Sequence, residues 1–152
     1  DHKAYGVDVS SVVLLVRILL MLNRIYYDTY GMSAVSDGVR NGEKYVLLCK
    51  MLNFIQTNYS NPLNLDILSR EFYTSRSQIN LIFRNIIGIT PTEYISNFRL
   101  RRAKELLLQN IPVETVCFQC GYNNPSHFSH TFKQKEGISP KRYQSLYQTH
   151  RN

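Results

Sequence analysis

Two segments of the chain repeat the same order of apolar and polar positions, 49 residues apart. In each segment apolar residues recur three and four positions apart, which predicts amphipathic helices. A repeat of this length indicates one supersecondary unit used twice. The clearest matching pairs are Phe83 and Phe132, Gly88 and Gly137, Pro91 and Pro140, and Tyr94 and Tyr143.

The first segment predicts a short helix, a turn and a second helix. Apolar positions between residues 65 and 72 form the short helix, and residues 73–74 form the turn. Ser75 is the expected N-cap of the second helix, because its hydroxyl can accept a hydrogen bond from a backbone amide. That helix, over residues 76–87, has one apolar and one polar face, and Gly88 is expected to end it in a left-handed conformation. This order is the helix-turn-helix pattern.

The rest of the repeat predicts a joining helix and a second unit of the same kind. Thr90 is expected to cap a longer helix over residues 91–109, with proline at its first position. A short helix follows Pro112, Asn124 caps the next helix, and Ser139 opens a last one. Because no segment predicts a strand, the expected fold is all-α, with two helix-turn-helix subdomains joined by a long helix.

The pattern changes in the N-terminal part of the chain. Residues 9–30 are apolar nearly all round, so they predict a buried helix. Two alternatives stay open: this helix packs on its own chain, or it packs against a missing domain or a second copy of the protein. Residues 31–42 have turn and loop chemistry. We therefore expect a boundary there and a new helix from Glu43.

Charge is distributed unevenly along the chain. The net charge is +7, and residues 63–152 hold twelve Lys and Arg against six Asp and Glu, a net of +6. The basic part is the part that repeats, which indicates a polyanion as its partner. The apolar run at residues 12–22 is too short to span a membrane, which takes roughly 20 residues. Three cysteines, an odd number, indicate a reduced, cytoplasmic setting rather than a disulfide framework.

A helix of about twelve residues with one apolar and one short polar face suits the major groove of DNA. We expect two recognition helices, at about residues 75–87 and 124–136, to read adjacent groove segments roughly 34 Å apart. The base-contacting candidates are Arg76, Ser77, Gln78 and Asn80 in the first unit and Ser126, Ser129 and His130 in the second. The small side chains of the second unit predict a larger part for thymine methyl groups and DNA shape.

A second group of residues is expected to contact phosphates. Replacing Asn80 should shift sequence preference, whereas replacing Arg102 should weaken binding to all sequences alike. The phosphate candidates are Ser75, Arg84, Arg99, Arg102, Asn124, Lys133, Lys141 and Arg142.

Two other classes of function compete with DNA binding. Cys117 and Cys120, with His127 and His130, could form a metal-binding or redox-responsive module. Core packing is favoured for Cys117, and no metal or other cofactor is expected. An adaptor could instead bind a protein partner through the helix at residues 9–30. No nucleophile with a base and no glycine-rich phosphate loop is present, so an enzyme is not expected.

The second unit resembles the signature of the AraC/XylS family of bacterial transcription regulators, and the resemblance covers about residues 45–147. The residues that carry it in the second unit are Val116, Cys117, Gly121, Tyr122, Ser126, Phe128, Phe132, Lys133, Gly137, Ser139, Pro140 and Tyr143. The first unit and the joining helix add Leu65, Ile67, Ser75, Ile79, Phe83, Gly88, Tyr94, Arg99, Leu100, Ala103, Leu106 and Leu107.

The resemblance implies a pair of homeodomain-like subdomains that bind promoter DNA, mostly in activators that contact RNA polymerase. It also implies an N-terminal sensor or dimerisation domain, of which residues 1–42 would be a linker or dimerisation remnant. Residues 43–152 would form the DNA-binding domain, divided into 43–90, 91–109 and 110–152. The sequence departs from the family at Leu68 and Cys117, where alanine is usual, and at Gln144, where arginine often contacts a phosphate.

Overall fold

The computed structural model describes residues 14–19, 21–22 and 35–148, and every regular element in these ranges is an α-helix. The prediction of an all-α chain is therefore confirmed over this part. From residue 35 onward the helices are α1 (Val35–Asn58), α2 (Leu65–Glu71), α3 (Arg76–Ile86), α4 (Pro91–Leu108), α5 (Val113–Gln119), α6 (Pro125–Glu136) and α7 (Pro140–Gln148).

The chain divides into two compact units, residues 1–50 and residues 51–152. In the first unit, residues 14–19 and 21–22 are helical, and the rest of the helix predicted over residues 9–30 lies outside the described residues. Six of the apolar side chains here are 46% to 68% exposed in the single chain, so they are not buried against it, and packing against a missing domain or a second copy stays a prediction. The six are Leu14, Leu15, Ile18, Leu19, Met21 and Leu22.

Helix α1 begins earlier than the sequence pattern predicts. Its first residue is Val35, so the loop predicted over residues 31–42 is wrong from Val35 onward, and residues 31–34 lie outside the described part. Ser36 and Asp37 indicated a turn, but serine and aspartate are also favoured at the start of a helix. The glycines within the helix lower its stability by about 1 kcal/mol each without ending it. The domain boundary at residue 42 stays a prediction.

Side-chain caps begin the helices of both repeated segments as predicted. The Ser75 hydroxyl accepts a hydrogen bond from the Gln78 backbone N–H at 3.2 Å, and the Asn124 side chain accepts one from the His127 N–H at 3.0 Å. Thr90 caps α4 in the same way. Each cap satisfies a backbone amide that has no partner within the helix, so each start is fixed locally.

The two helix-turn-helix units differ by one residue in their turns. Four residues separate α2 from α3, and five separate α5 from α6. The spacing of 49 therefore holds for the starts of α3 and α6 but is 48 for the starts of α2 and α5. The left-handed residue of the turn is Tyr73 (φ 49°) in the first unit and Gly121 (φ 77°) in the second.

Helix α4 belongs to both helix-turn-helix units. Near its start, the Tyr94 ring packs edge-on against Phe83 of α3, with 5.9 Å between ring centroids. Its later residues enter the core of the second unit, where Phe128 and Phe132 of α6 are fully buried. The other buried members of this core are Leu100, Ala103, Leu107, Val116, Cys117, Cys120 and Tyr122.

Gln144 has a structural role at the end of α4. Its side-chain amide donates hydrogen bonds to the carbonyl oxygens of Ile111, at 2.8 Å, and Leu107, at 3.4 Å. These carbonyls lie at and just beyond the C-terminus of the helix, where intrahelical partners run out. Gln144, at the position where the resemblance often implies arginine, thus fastens α7 to α4.

Candidate nucleic-acid interface

Helix α3 presents one face to its scaffold and the opposite face to solvent. Ile79, Ile82 and Phe83 are buried and hold the helix against the rest of its unit. Ser77 and Arg84 are exposed on the opposite face, and their spacing of seven residues puts them in line along the helix. This outward face has the length and polarity of a groove-binding surface.

The other first-unit candidates lie at the start and the edges of this face. Arg76 is exposed and forms an ion pair with Asp66 of α2, so a contact with a base would require it to leave that partner. Gln78 and Asn80 are half-buried, on the two flanks between the apolar and outward faces. The structure therefore brings all four predicted readout residues to one end of α3.

Leu81 is a residue of this face that sequence reasoning missed. Its side chain is 50% exposed and lies between Ser77 and Arg84 along the outward line. The sequence pattern assigned Leu81 to neither face of the helix. The spacing of four residues from Ser77 was the signal that could have assigned Leu81 to the outward face.

Helix α6 repeats this arrangement with different outward residues. Ser126, His130 and Lys133 are exposed, and Ser129 is half-buried on a flank. His130 occupies the position of Leu81 in the repeat. The exposed His127 has its ring centroid 6.1 Å from that of Tyr122, so it lies towards the turn. The second outward face is accordingly more polar at its centre than the first.

Lys141 and Arg142 lie in the first turn of α7 and are exposed. The backbone N–H of Arg142 donates to the Ser139 hydroxyl at 3.3 Å. Ser75 and Asn124 use their side-chain oxygens as helix caps, so a phosphate contact at these positions would come from the helix N-terminus rather than from a free side chain. These positions remain compatible with phosphate contacts.

Two predicted phosphate ligands on α4 have other partners. Arg99 donates from Nε to the Tyr59 carbonyl and from Nη2 to the Asn61 carbonyl, both at 2.9 Å. Arg102 forms an ion pair with Glu105, three residues along the same helix. The guanidinium of Arg102 also lies 5.9 Å from the centre of the Tyr59 ring. The sequence alone did not distinguish these two arginines from arginines whose guanidinium groups are available to contact DNA.

The cysteines of the second unit pack in its core. Cys117 and Cys120 are free and buried, and burial raises the pKa of Cys120 to about 12. Its thiol therefore stays protonated near neutral pH, the form that is neither nucleophilic nor a good metal ligand. Within the described ranges, no group of three or more His, Cys, Asp or Glu is arranged to hold a metal ion.

No helix in the described part of the chain is long and apolar enough to cross a membrane.

The repeated unit and its two outward helical faces define a protein with tandem helix-turn-helix units. A family model described as a helix-turn-helix domain matches residues 68–145. The probable transcriptional regulator LumQ of Photobacterium leiognathi is 33% identical over 93 residues, which cover 60% of this chain and 38% of that protein. The transcriptional activator RhaS of Escherichia coli is 23% identical over 133 residues, which cover 87% of this chain and 44% of RhaS.

A solved structure has the same fold. It is the DNA-binding domain of AdpA in complex with a target DNA, with a TM-score of 0.65 at 24% identity, and the likeness covers 68% of this chain and 95% of that one. The chain belongs to the AraC family of helix-turn-helix transcription regulators, as its sequence signature predicted. This family consists of DNA-binding transcription regulators rather than enzymes, in line with the expectation from the sequence. The chain spans less than half the length of LumQ and of RhaS.

Proposed function

We propose that this chain binds double-stranded promoter DNA sequence-specifically by placing α3 and α6 in adjacent major-groove segments. The observation that supports this most strongly is that α3 and α6, which both begin at a side-chain cap, pack on their cores in the same way. In both units a buried apolar face holds the helix, and an exposed, mainly polar face lies opposite it. The basic charge of residues 63–152 favours the same partner, because a polyanion is attracted to it.

Base readout in the proposed complex differs between the two helices. In the first unit Arg76 suits guanine and Asn80 suits adenine, and each good pair contributes about 1–3 kcal/mol of discrimination. Exposed Leu81 suits the methyl group of thymine. In the second unit the side chains of Ser126 and His130 are shorter than that of Arg76 and reach less far towards the bases. DNA shape is therefore expected to contribute more to readout there. Gln78, Ser77 and Ser129 complete the readout set.

The phosphate contacts of the proposed complex surround these two faces. Exposed Arg84 and Lys133 lie in the last turns of the recognition helices, and Lys141 and Arg142 lie at the start of α7. The helix N-termini capped by Ser75 and Asn124 add backbone amides. Arg99 is left out of this set because its guanidinium already holds two backbone carbonyls. Arg102 would have to exchange Glu105 for a phosphate.

Replacing one readout residue and one phosphate residue separates the two roles. Asn80→Ala is expected to lower affinity for the preferred duplex about tenfold and to reduce discrimination at one base pair. Arg142→Ala is expected to weaken all duplexes by a similar factor, because phosphate contacts do not depend on sequence. Fluorescence anisotropy on a preferred duplex and on its single-base variants measures both effects.

Asn53→Ala is the control, since Asn53 is exposed on α1, outside both helix-turn-helix units. It should leave affinity and preference unchanged. Equal weakening of every duplex by Asn80→Ala would contradict a base contact at that residue.

We also propose that the regulator is a cytoplasmic activator that contacts RNA polymerase. Its similarity to RhaS, a transcriptional activator, supports the activator role. Residues 1–42 would serve as a linker and dimerisation segment. The exposed apolar side chains within residues 14–19 and 21–22 favour a homodimer through this segment. Sedimentation equilibrium tests this, and a monomer at all micromolar concentrations would contradict it. A protein-interaction adaptor that works through this segment is the second candidate function, and the same exposed side chains favour it.

A further inference from the structure

We propose that Arg99 is a positioning residue that fixes the orientation of the two recognition helices and thereby sets the spacing of the two DNA half-sites. This inference rests on the proposed function, because it assumes that α3 and α6 bind one duplex together. It assigns Arg99 a role within the protein in place of the predicted phosphate contact.

Arg99 fastens the joining helix α4 to the end of α1. The carbonyl oxygens of Tyr59 and Asn61 each lie 2.9 Å from a guanidinium nitrogen of Arg99. Both residues follow Asn58, the last residue of α1. Carbonyls at a helix C-terminus have no intrahelical donor and carry partial negative charge. A guanidinium satisfies two of them at once because its donors are held in one rigid plane. The Tyr59 ring adds a contact with Phe98 of α4, with centroids 5.3 Å apart.

The turn of the second helix-turn-helix unit closes over the same guanidinium. A Cβ placed on Gly121 would lie 2.5 Å from the Tyr59 carbonyl oxygen and 2.9 Å from Arg99 Nη2, so backbone and guanidinium are in close contact there. The Tyr122 ring centre lies 5.7 Å from the Arg99 Cζ. Burial lowers the pKa of Arg99, which nevertheless remains charged at neutral pH. The guanidinium therefore lies where the end of α1, the joining helix and the second turn meet.

Both recognition helices connect to this joint through ring contacts. On one side Tyr94, in the same helix as Arg99, packs against Phe83 of α3. On the other side Tyr122 packs against Phe128 of α6, with centroids 5.1 Å apart. A change at Arg99 therefore alters how α3 and α6 are held relative to each other without removing a residue from either outward face. A rigid joint predicts that only a narrow range of half-site spacings allows both helices to bind.

Arg99→Lys tests this role because it keeps the positive charge but cannot reproduce the planar pair of hydrogen bonds. The probes are duplexes that the wild-type chain enriches from a random pool, remade with the half-sites one or two base pairs closer or farther apart, and duplexes with one half-site. Arg101→Lys is the matched control. It makes the same change two residues away, at a guanidinium that lies over the Phe98 ring.

The wild-type chain and Arg101→Lys should show a sharp affinity maximum at one spacing. Arg99→Lys should lose about tenfold at that spacing, vary by less than about threefold across the series, and bind a single half-site within about twofold of wild type. An equal loss on one-site and two-site duplexes would overturn the proposal in favour of a phosphate contact. An unchanged spacing profile would overturn it as well.

Circular dichroism at the assay temperature first establishes that each variant is folded. Arg99→Gln, which can keep one of the two hydrogen bonds, is the second variant and should also flatten the spacing profile. Loss of folded structure in both variants would overturn the proposal, because Arg99 would then serve the fold rather than the spacing. Failure of the wild-type chain to enrich any duplex would instead count against the proposed function itself.

Discussion

Raising the salt concentration from 50 mM to 200 mM is expected to weaken binding of the wild-type chain to a preferred duplex roughly 150-fold. Neutralising a phosphate releases condensed counterions, so log affinity falls against log salt with a slope of about −0.9 per phosphate. The four exposed cations assigned to phosphates therefore predict a slope of about −3.6. They are Arg84, Lys133, Lys141 and Arg142. Anisotropy titrations at five or more salt concentrations measure this slope.

Two variants sharpen the salt measurement. Arg142→Ala should make the slope less steep by about 0.9, because one phosphate is no longer neutralised. Arg99→Lys should leave the slope unchanged, since charge is kept and Arg99 is assigned no phosphate. A slope near zero for the wild-type chain would contradict DNA binding through these cations, and an unchanged slope in Arg142→Ala would contradict the role of that residue.

Gly121→Ala is expected to lower the free energy of unfolding by about 3 kcal/mol. Part of the cost is backbone strain, because φ at Gly121 is +77°, a conformation that costs an L-residue about 1–2 kcal/mol. The rest comes from the new methyl group. It would lie 2.5 Å from the Tyr59 carbonyl oxygen, and backbone cannot yield as a flexible side chain does.

Gly137→Ala is the matched control for the close contact. Its φ of +79° is nearly the same, but nothing lies within 4 Å of an added Cβ. It should therefore cost only the strain, about 1–2 kcal/mol. Urea denaturation followed by circular dichroism compares the two variants. Equal losses would show that the joint at Gly121 tolerates a methyl group, which would also weaken the case for a rigid joint around Arg99.

The sequence predicted the helix-turn-helix units well because their signals are local. Ser75, Thr90 and Asn124 each cap a helix with a side chain that reaches only three residues along the chain. The expected left-handed conformation of Gly88 is confirmed for the same reason. Spacing of apolar residues placed Phe83 and Phe132 in the cores. Short-range geometry of this kind can be inferred from one sequence.

Three features were not predicted, and each was missed for its own reason. Arg99 and Arg142 look alike in sequence, yet one holds carbonyls about 40 residues away and the other is exposed. Leucine is most often a core residue, yet Leu81 lies on the outward face, as its spacing of four from Ser77 indicates. The early start of α1 at Val35 depends on glycines that the helix tolerates despite their cost. Of the three, only the partners of Arg99 are decided by distant surroundings that residue type does not reveal.

Selection of duplexes from a random pool by the wild-type chain tests the central claim most directly. Two recognition helices on one rigid scaffold predict enrichment of two short motifs whose centres lie about one helical turn, roughly 10 base pairs, apart. The motif contacted by α3 should be the more sharply defined, because Arg76 and Asn80 can make bidentate contacts with base edges. A single motif, or two motifs with no fixed spacing, would contradict the account.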